Sequence, residues 1–281
     1  MTRGLLFASM GLIVLSAILD LTPITGVGAL VMFAGFAFTL VHGHASLGAR
    51  NLLAFIVITI VISFTAEGIG VATGIVFGDY HYSGELGPKL LGVPLVIQVA
   101  YTAMGYASLM TARAILGVSE PRGARPLAVA LAGTMVMVGW DVAMDPSMST
   151  VEGNWIWEQP GGVYFGVGLH NYVGWFCTVF LFMSLYELWE RRNPAPAPQG
   201  VAASRLFRSE PALYYAAIAL GVVATPVIEA GPEKLATPLN YSGSLADLNA
   251  TLALVACFVM GAPAVFALLR TWDRRRSGGA D

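Results

Sequence analysis

The sequence predicts an all-α fold, a polytopic bundle of about eight transmembrane helices carrying internal parallel hairpin repeats. Composition is the first reason: 56% of residues are apolar and 11% charged, mean hydropathy is +0.70, and soluble domains carry about a quarter charged residues. The second is the recurrence of apolar stretches near the roughly 20 residues that a helix needs to cross a bilayer. The third is that acidic and basic residues are placed differently along those stretches.

In order, the stretches cover 4–19, 27–47, 52–76, 90–114, 126–144, 166–188, 211–228 and 248–269. Inside lipid each backbone N–H and C=O must be paired within the chain, which makes each stretch a helix. The count drops to seven if one of the short first and seventh stretches does not cross. The first reads as a helix and not a cleaved signal, because Ser16-Ala17-Ile18 runs into Asp20 without a cleavage site. Arg50 separates the second stretch from the third, and Arg113, Arg122 and Arg125 separate the fourth from the fifth. Loops dense in aromatics and glycine follow the third and fifth stretches. A disordered or flexible linker is expected at about 193–204, opening on a stiffer Pro/Ala stretch, Asn193–Pro198, and a basic tail covers 270–281, within one integral membrane domain, 1–281. Cys177 and Cys257 fall inside apolar stretches and read as small buried hydrophobes.

With eight spans and the N-terminus inside, all thirteen arginines from Arg3 to Arg276 fall on the cytoplasmic side, and only Lys89 and Lys234 fall outside. By the positive-inside rule both termini are cytoplasmic in a multi-pass cell-membrane protein. The basic tail also attracts anionic lipids. Nothing here suits nucleic acid, and a net charge of −2 argues against an acid-rich, strongly halophilic surface.

Asp20, Glu67, Asp141 and Glu229 each lie about 15 to 18 residues from the cytoplasmic start of an odd-numbered helix. A carboxylate in hydrocarbon costs on the order of 2.5–3.5 kcal/mol, so such residues face a cavity or a partner. Glu67 and Asp141 are the deepest. The inner halves of helices 3 to 6 read as almost wholly apolar.

A repeat connects the two deep acids. Glu67 stands 25 residues before Gly92-Val93-Pro94-Leu95, and Asp141 stands 25 before Gly166-Val167-Gly168-Leu169. At the same offset of 74, Tyr101 matches Trp175. The loops Phe77-Gly78-Asp79-Tyr80-His81-Tyr82 and Gly153-Asn154-Trp155-Ile156-Trp157 are expected to fold over the same end of the bundle. Parallel repeats commonly place a site at their interface.

Asp141 and Asp145, spaced i, i+4, share a helix face if the helix continues to Pro146. Two close carboxylates in a poorly solvated place do not both ionise easily, which leaves one able to donate a proton. Glu67 joins them if helices 3 and 5 are neighbours. Gln98, Tyr101, His170, Asn171 and Trp175 lie at a depth able to meet these acids, although Tyr101 and Trp175 also fit an interfacial aromatic belt and His170 a structural role.

Several membrane chemistries do not fit. A retinal Schiff base needs a lysine within a helix, and both lysines are in loops. The four histidines sit at opposite ends, so no haem or di-iron set forms, and no metal site is expected. There is no D-x-x-D pair for a magnesium diphosphate and no nucleotide-binding glycine motif. What remains is a metal-free pocket of carboxylates and aromatics open to lipid, suited to a hydrocarbon-like substrate. Protonating an isolated C=C creates a tertiary carbocation, which aromatic faces and carboxylates stabilise before water captures it. Other chemistries also fit these residues.

The run from Glu67 to Gly74, Phe77 to Tyr82, Gly92 to Leu95, Trp140-Asp141, Met144-Asp145-Pro146, Gly153 to Trp157 and Gly162 to Trp175 resembles the membrane-bound carotenoid hydratases of the CruF type. The likeness covers roughly residues 60–180. Gly168 in the second Gly-Val-x-Leu run and His170 depart from the pattern. The resemblance implies a cofactor-independent hydro-lyase acting on γ-carotene or lycopene-type ends, or on the C50 precursor of bacterioruberin. Its partners would be the acyclic carotenoid in the bilayer, membrane lipids and neighbouring carotenoid-pathway enzymes. On this reading Asp141 donates the proton and Asp145 and Glu67 tune it or position water. Gln98 and Asn171 hold that water, and Tyr80, Tyr82, Tyr101, Trp155, Trp157, His170 and Trp175 surround the end group. A non-catalytic carotenoid- or lipid-binding protein and a small-molecule transporter are the alternatives, and transport is disfavoured by the apolar inner halves.

Overall fold

The computed structural model describes residues 3–20, 28–118, 126–158, 162–195, 197–228, 241 and 243–273. Its long elements are α1 (Arg3–Asp20), α2 (Gly28–Thr73), α3 (Leu95–Leu116), α4 (Pro126–Pro146), α5 (Leu169–Arg192), α6 (Arg205–Ile228), α7 (Leu245–Val255) and α8 (Gly261–Trp272). Four short strands lie between them: β1 (Tyr80–Tyr82), β2 (Lys89–Leu90), β3 (Val93–Pro94) and β4 (Trp155–Trp157).

Each expected apolar stretch coincides with a helix or a helical arm. Five helical stretches among the described residues are long and apolar enough to cross a membrane, so this is a multi-pass membrane protein. A single straight helix of 46 residues would extend about 69 Å, more than twice a bilayer core. Gly48 breaks α2 with φ 75° and ψ 161°, a conformation open to glycine because it lacks a Cβ. The arms before and after it turn back on one another. Phe38 and Phe55 both lie against Tyr106, at ring-centroid distances of 6.4 and 6.0 Å. The two arms are the second and third expected helices. A five-residue π turn, Ala256–Met260, joins α7 to α8 within the last stretch.

The repeat is visible in the backbone. Helices α3 and α5 start at Leu95 and Leu169, at the offset seen in the sequence. Each is preceded by two residues in the left-handed region, Leu91-Gly92 (φ 50° and 82°) and Phe165-Gly166 (φ 49° and 90°). These elbows delay both helix starts relative to the apolar runs. The two aromatic loops meet as an antiparallel pair, with Tyr80 opposite Trp157, His81 opposite Ile156 and Tyr82 opposite Trp155. Alternation along the strand turns Tyr80 and Tyr82 inward and His81 outward.

Two expectations, on the apolar inner end and on the cysteines, are corrected. The end of the bundle where Arg113 lies is not apolar: Arg113 bonds Glu187 and Glu190, and all three are buried. There too His42 Nε2 donates to the Phe207 carbonyl at 2.9 Å, which leaves Nδ1 to accept from the Tyr106 hydroxyl at 2.6 Å. Arginines at helix ends read as loop markers by the positive-inside count, which has no term for a carboxylate on the neighbouring helix. Cys177 and Cys257 are exposed on the helix exterior and not buried, since an apolar stretch in lipid has an outward face of the same composition. In the segment read as a linker, the Asn193 carbonyl accepts from Asn51 at 2.8 Å, and Gly200–Ala203 forms a 3₁₀ turn with Ala202 buried. The side chain of Asp20, together with Arg122, Arg125, Glu229, Lys234 and Arg274 to Arg276, lies outside the described residues.

Candidate active site

One end of the bundle holds a cavity of about 40 Å³, lined by Glu67 from α2, Tyr101 from α3, Asp145 from α4, Asn171 and Trp175 from α5, and Tyr80, Tyr82, Trp155 and Trp157 from the strand pair. Phe77, Ile97, Ala100, Trp140 and Met144 complete it. A buried water needs roughly 10–15 Å³ on this measure, so a few waters fit.

Helix α4 does continue to Pro146, placing Asp141 and Asp145 on one face, both 1% exposed. Pro146 leads into a π turn, Ser147–Val151, a form that often marks functional sites. The turn reverses the chain so that Trp155 Nε1 donates back to Asp145 Oδ1 at 2.8 Å. Asn171 Nδ2 donates to Asp145 Oδ2 at 2.5 Å and makes a longer contact of 3.4 Å with Asp141 Oδ2. Asp141 Oδ1 is buried without a hydrogen-bond partner in the protein. The two aspartates thus differ: Asp145 is fixed by two N–H donors, and Asp141 keeps an oxygen for a substrate or a water.

Glu67 is held in another way. Its Oε2 accepts from Tyr80 and Tyr82 at 2.6 and 2.8 Å, and its Oε1 accepts from Tyr101 at 2.9 Å. Burial, followed by the charge of Glu67, pushes the Tyr80 and Tyr82 hydroxyls upward, so they stay O–H donors at neutral pH. Helices α2 and α4 need not pack directly for Glu67 to join the aspartates, because the cavity bridges them.

The rings make a continuous wall. Trp175 stacks on Tyr101 and meets Trp140 edge-on at 6.0 Å, while Tyr80 lies 5.2 Å from Trp157 and Tyr82 6.1 Å from Trp155. Of the two residues that also fit an interfacial belt, Tyr101 is buried and Trp175 half-buried, and both are on the cavity wall. Lys89 fastens the strand pair by donating to the Tyr82 carbonyl at 2.6 Å, a contact the sequence did not suggest.

Three expected residues stand apart from the lining: Asp141, whose nearest link to it is the 3.4 Å contact with Asn171, His170 and Gln98. His170 Nε2 bonds the Ile75 carbonyl at 2.7 Å and its side chain is exposed. Neighbouring helical residues point about 100° apart, so the turn that aims Asn171 inward aims His170 out. Gln98 accepts from Ser63 at 2.5 Å through Oε1, and its Nε2 is buried without a protein partner. No group of three or more His, Cys, Asp or Glu able to hold a metal occurs among the described residues.

A family profile described as carotenoid biosynthesis protein matches residues 27–235. Bisanhydrobacterioruberin hydratase of Haloarcula japonica is 30% identical over 139 residues, which cover 49% of this chain and 45% of that relative. The chain therefore aligns with about half the length of the curated relative it matches. No solved structure gives a significant match.

Proposed function

The chain belongs to the carotenoid biosynthesis protein family, and from that membership and its buried acids we propose that it is an enzyme, a cofactor-independent hydro-lyase of carotenoid end groups. The substrate is an acyclic carotenoid in the bilayer, either a C40 lycopene or γ-carotene type or a C50 molecule of the kind named for the relative. Water adds to its terminal isopropylidene double bond and leaves a tertiary alcohol.

The observation that carries this reading is the asymmetric aspartate pair: Asp145 is fixed on the wall of an aromatic cavity large enough for water, and Asp141, one helical turn away, keeps Oδ1 unpartnered. The Asp141 O–H bond breaks and its proton adds to the CH carbon of the double bond. The π electrons form the new C–H bond, leaving a tertiary cation that the aromatic faces stabilise. A water lone pair closes the C–O bond, and the water proton leaves to a cavity carboxylate. Asp145 tunes the donor through its proximity. Asn171, on the cavity wall, holds the water.

Expression in lycopene-producing cells, with chromatography and mass detection, tests the proposal. A product heavier by one water per end group is expected from the wild type and none from Asp141→Asn. Pigment bound at unchanged mass is the outcome of a binding protein and overturns the enzyme reading. We further propose, from the arginine distribution, that the cavity end faces outward and both termini face the cytoplasm. Reporter fusions at the two termini that are active only outside the cell would overturn this orientation.

A further inference from the structure

We propose that Glu67 is the base of the water-capture step, acting through the hydroxyls of the tyrosines bound to it, while Asp141 supplies the first proton. The proposal rests on the hydratase reading and divides its two proton transfers between two helices.

The argument is the kind of partner each carboxylate has. Asp145 is held by an indole N–H and an amide N–H. An indole N–H is a donor with no acceptor lone pair, and an amide N–H does not readily pass on a proton, so these contacts fix Asp145 in place. Glu67 is held by three O–H groups. A hydroxyl donates and accepts at the same atom, so it can take a proton on one side and release its own on the other. Asp145 has a hydroxyl neighbour in Ser149, but that hydroxyl donates to the Asp145 backbone carbonyl at 2.8 Å and Ser149 does not line the cavity, so Glu67 alone of the three acids has hydroxyl partners on the cavity wall. All three tyrosines border the cavity, as does Glu67 itself.

The step balances. As the water lone pair forms the C–O bond, a water O–H breaks and its proton passes to a tyrosine oxygen, while that tyrosine gives its own proton to the Glu67 carboxylate. Asp141 ends the step without its proton and Glu67 ends it with one. Cavity water returns that proton from Glu67 to Asp141. The cycle consumes only the water added to the substrate.

The two roles separate in deuterium. Isolated membranes carrying matched amounts of wild type, Glu67→Gln, Tyr80→Phe/Tyr82→Phe or Asp141→Asn are given unlabelled lycopene in D₂O. If Glu67 is the capture base, the Gln variant and the double Phe variant form at least tenfold less alcohol, while recovered lycopene gains deuterium at its end groups, because the cation forms and reverts. Asp141→Asn yields neither alcohol nor deuterated lycopene. Alcohol and deuterium uptake falling in parallel in the double Phe variant overturns the assignment, as does alcohol formation at the wild-type rate in it. Absence of alcohol from wild-type membranes overturns the hydratase reading instead.

Discussion

Tyr101 and Trp175 stack face to face, with ring centroids 4.6 Å apart and planes 4° from parallel. They hold equivalent places in the two repeats, so the repeat interface itself is the wall of the cavity. Tyr101 also carries one of the three hydroxyls on Glu67. Removing the Trp175 ring therefore frees a side chain that orients an acid. An aromatic pair contributes about 0.5–1.5 kcal/mol beyond burial, so Trp175→Ala is expected to lower alcohol formation by up to about tenfold. Trp175→Phe should retain most of it, measured as product per unit of protein.

Asn171 bonds both aspartates, and hydrogen bonds to charged groups contribute about 1.5–3 kcal/mol. Asn171→Leu keeps the volume and removes the donor. Product formation should fall by roughly ten- to a hundredfold while the protein accumulates in membranes as the wild type does. An unchanged rate would detach Asn171 from the chemistry.

Arg113 predicts a stability effect far from the cavity. Removing one partner of a buried ion pair costs about 3–5 kcal/mol, whereas replacing the whole set by apolar residues is often neutral. Arg113→Met should thus lower the detergent-solubilised Tm sharply, because Glu187 and Glu190 lose their buried cation. Arg113→Met/Glu187→Leu/Glu190→Leu should recover much of the loss.

The elbows before α3 and α5 give a paired test. Gly92 and Gly166 sit at φ 82° and 90°, where a side chain costs on the order of 1–2 kcal/mol. Gly92→Ala and Gly166→Ala should each lower Tm by a similar amount. If only one does, the two elbows are not equivalent in the folded protein.

The helical class, the repeat and the meeting of the two loops were legible because each has a local signature: apolar length, a fixed offset and aromatic density. Asp141 and Asp145 were legible because helical spacing alone puts them together. The three tyrosines on Glu67 were not, since the loop register that aims Tyr80 and Tyr82 inward is set by pairing with a strand some 75 residues away. The Arg113 cluster was missed for a related reason: its partners are on α5, and in the sequence they are part of a charged helix end. His170 shows the opposite error, in which adjacency to Asn171 in sequence suggested adjacency in space.

The strand pair has one more consequence. Tyr80 and Tyr82 hold Glu67 of the first half, and Trp155 holds Asp145 of the second, yet all three residues are in one two-stranded ribbon. Substitutions in one loop are therefore felt by the carboxylate of the other, and their effects should be epistatic where separate sites would add. Two halves that repeat one another in sequence thus form a single unit of variation, in which neither loop is free to drift alone.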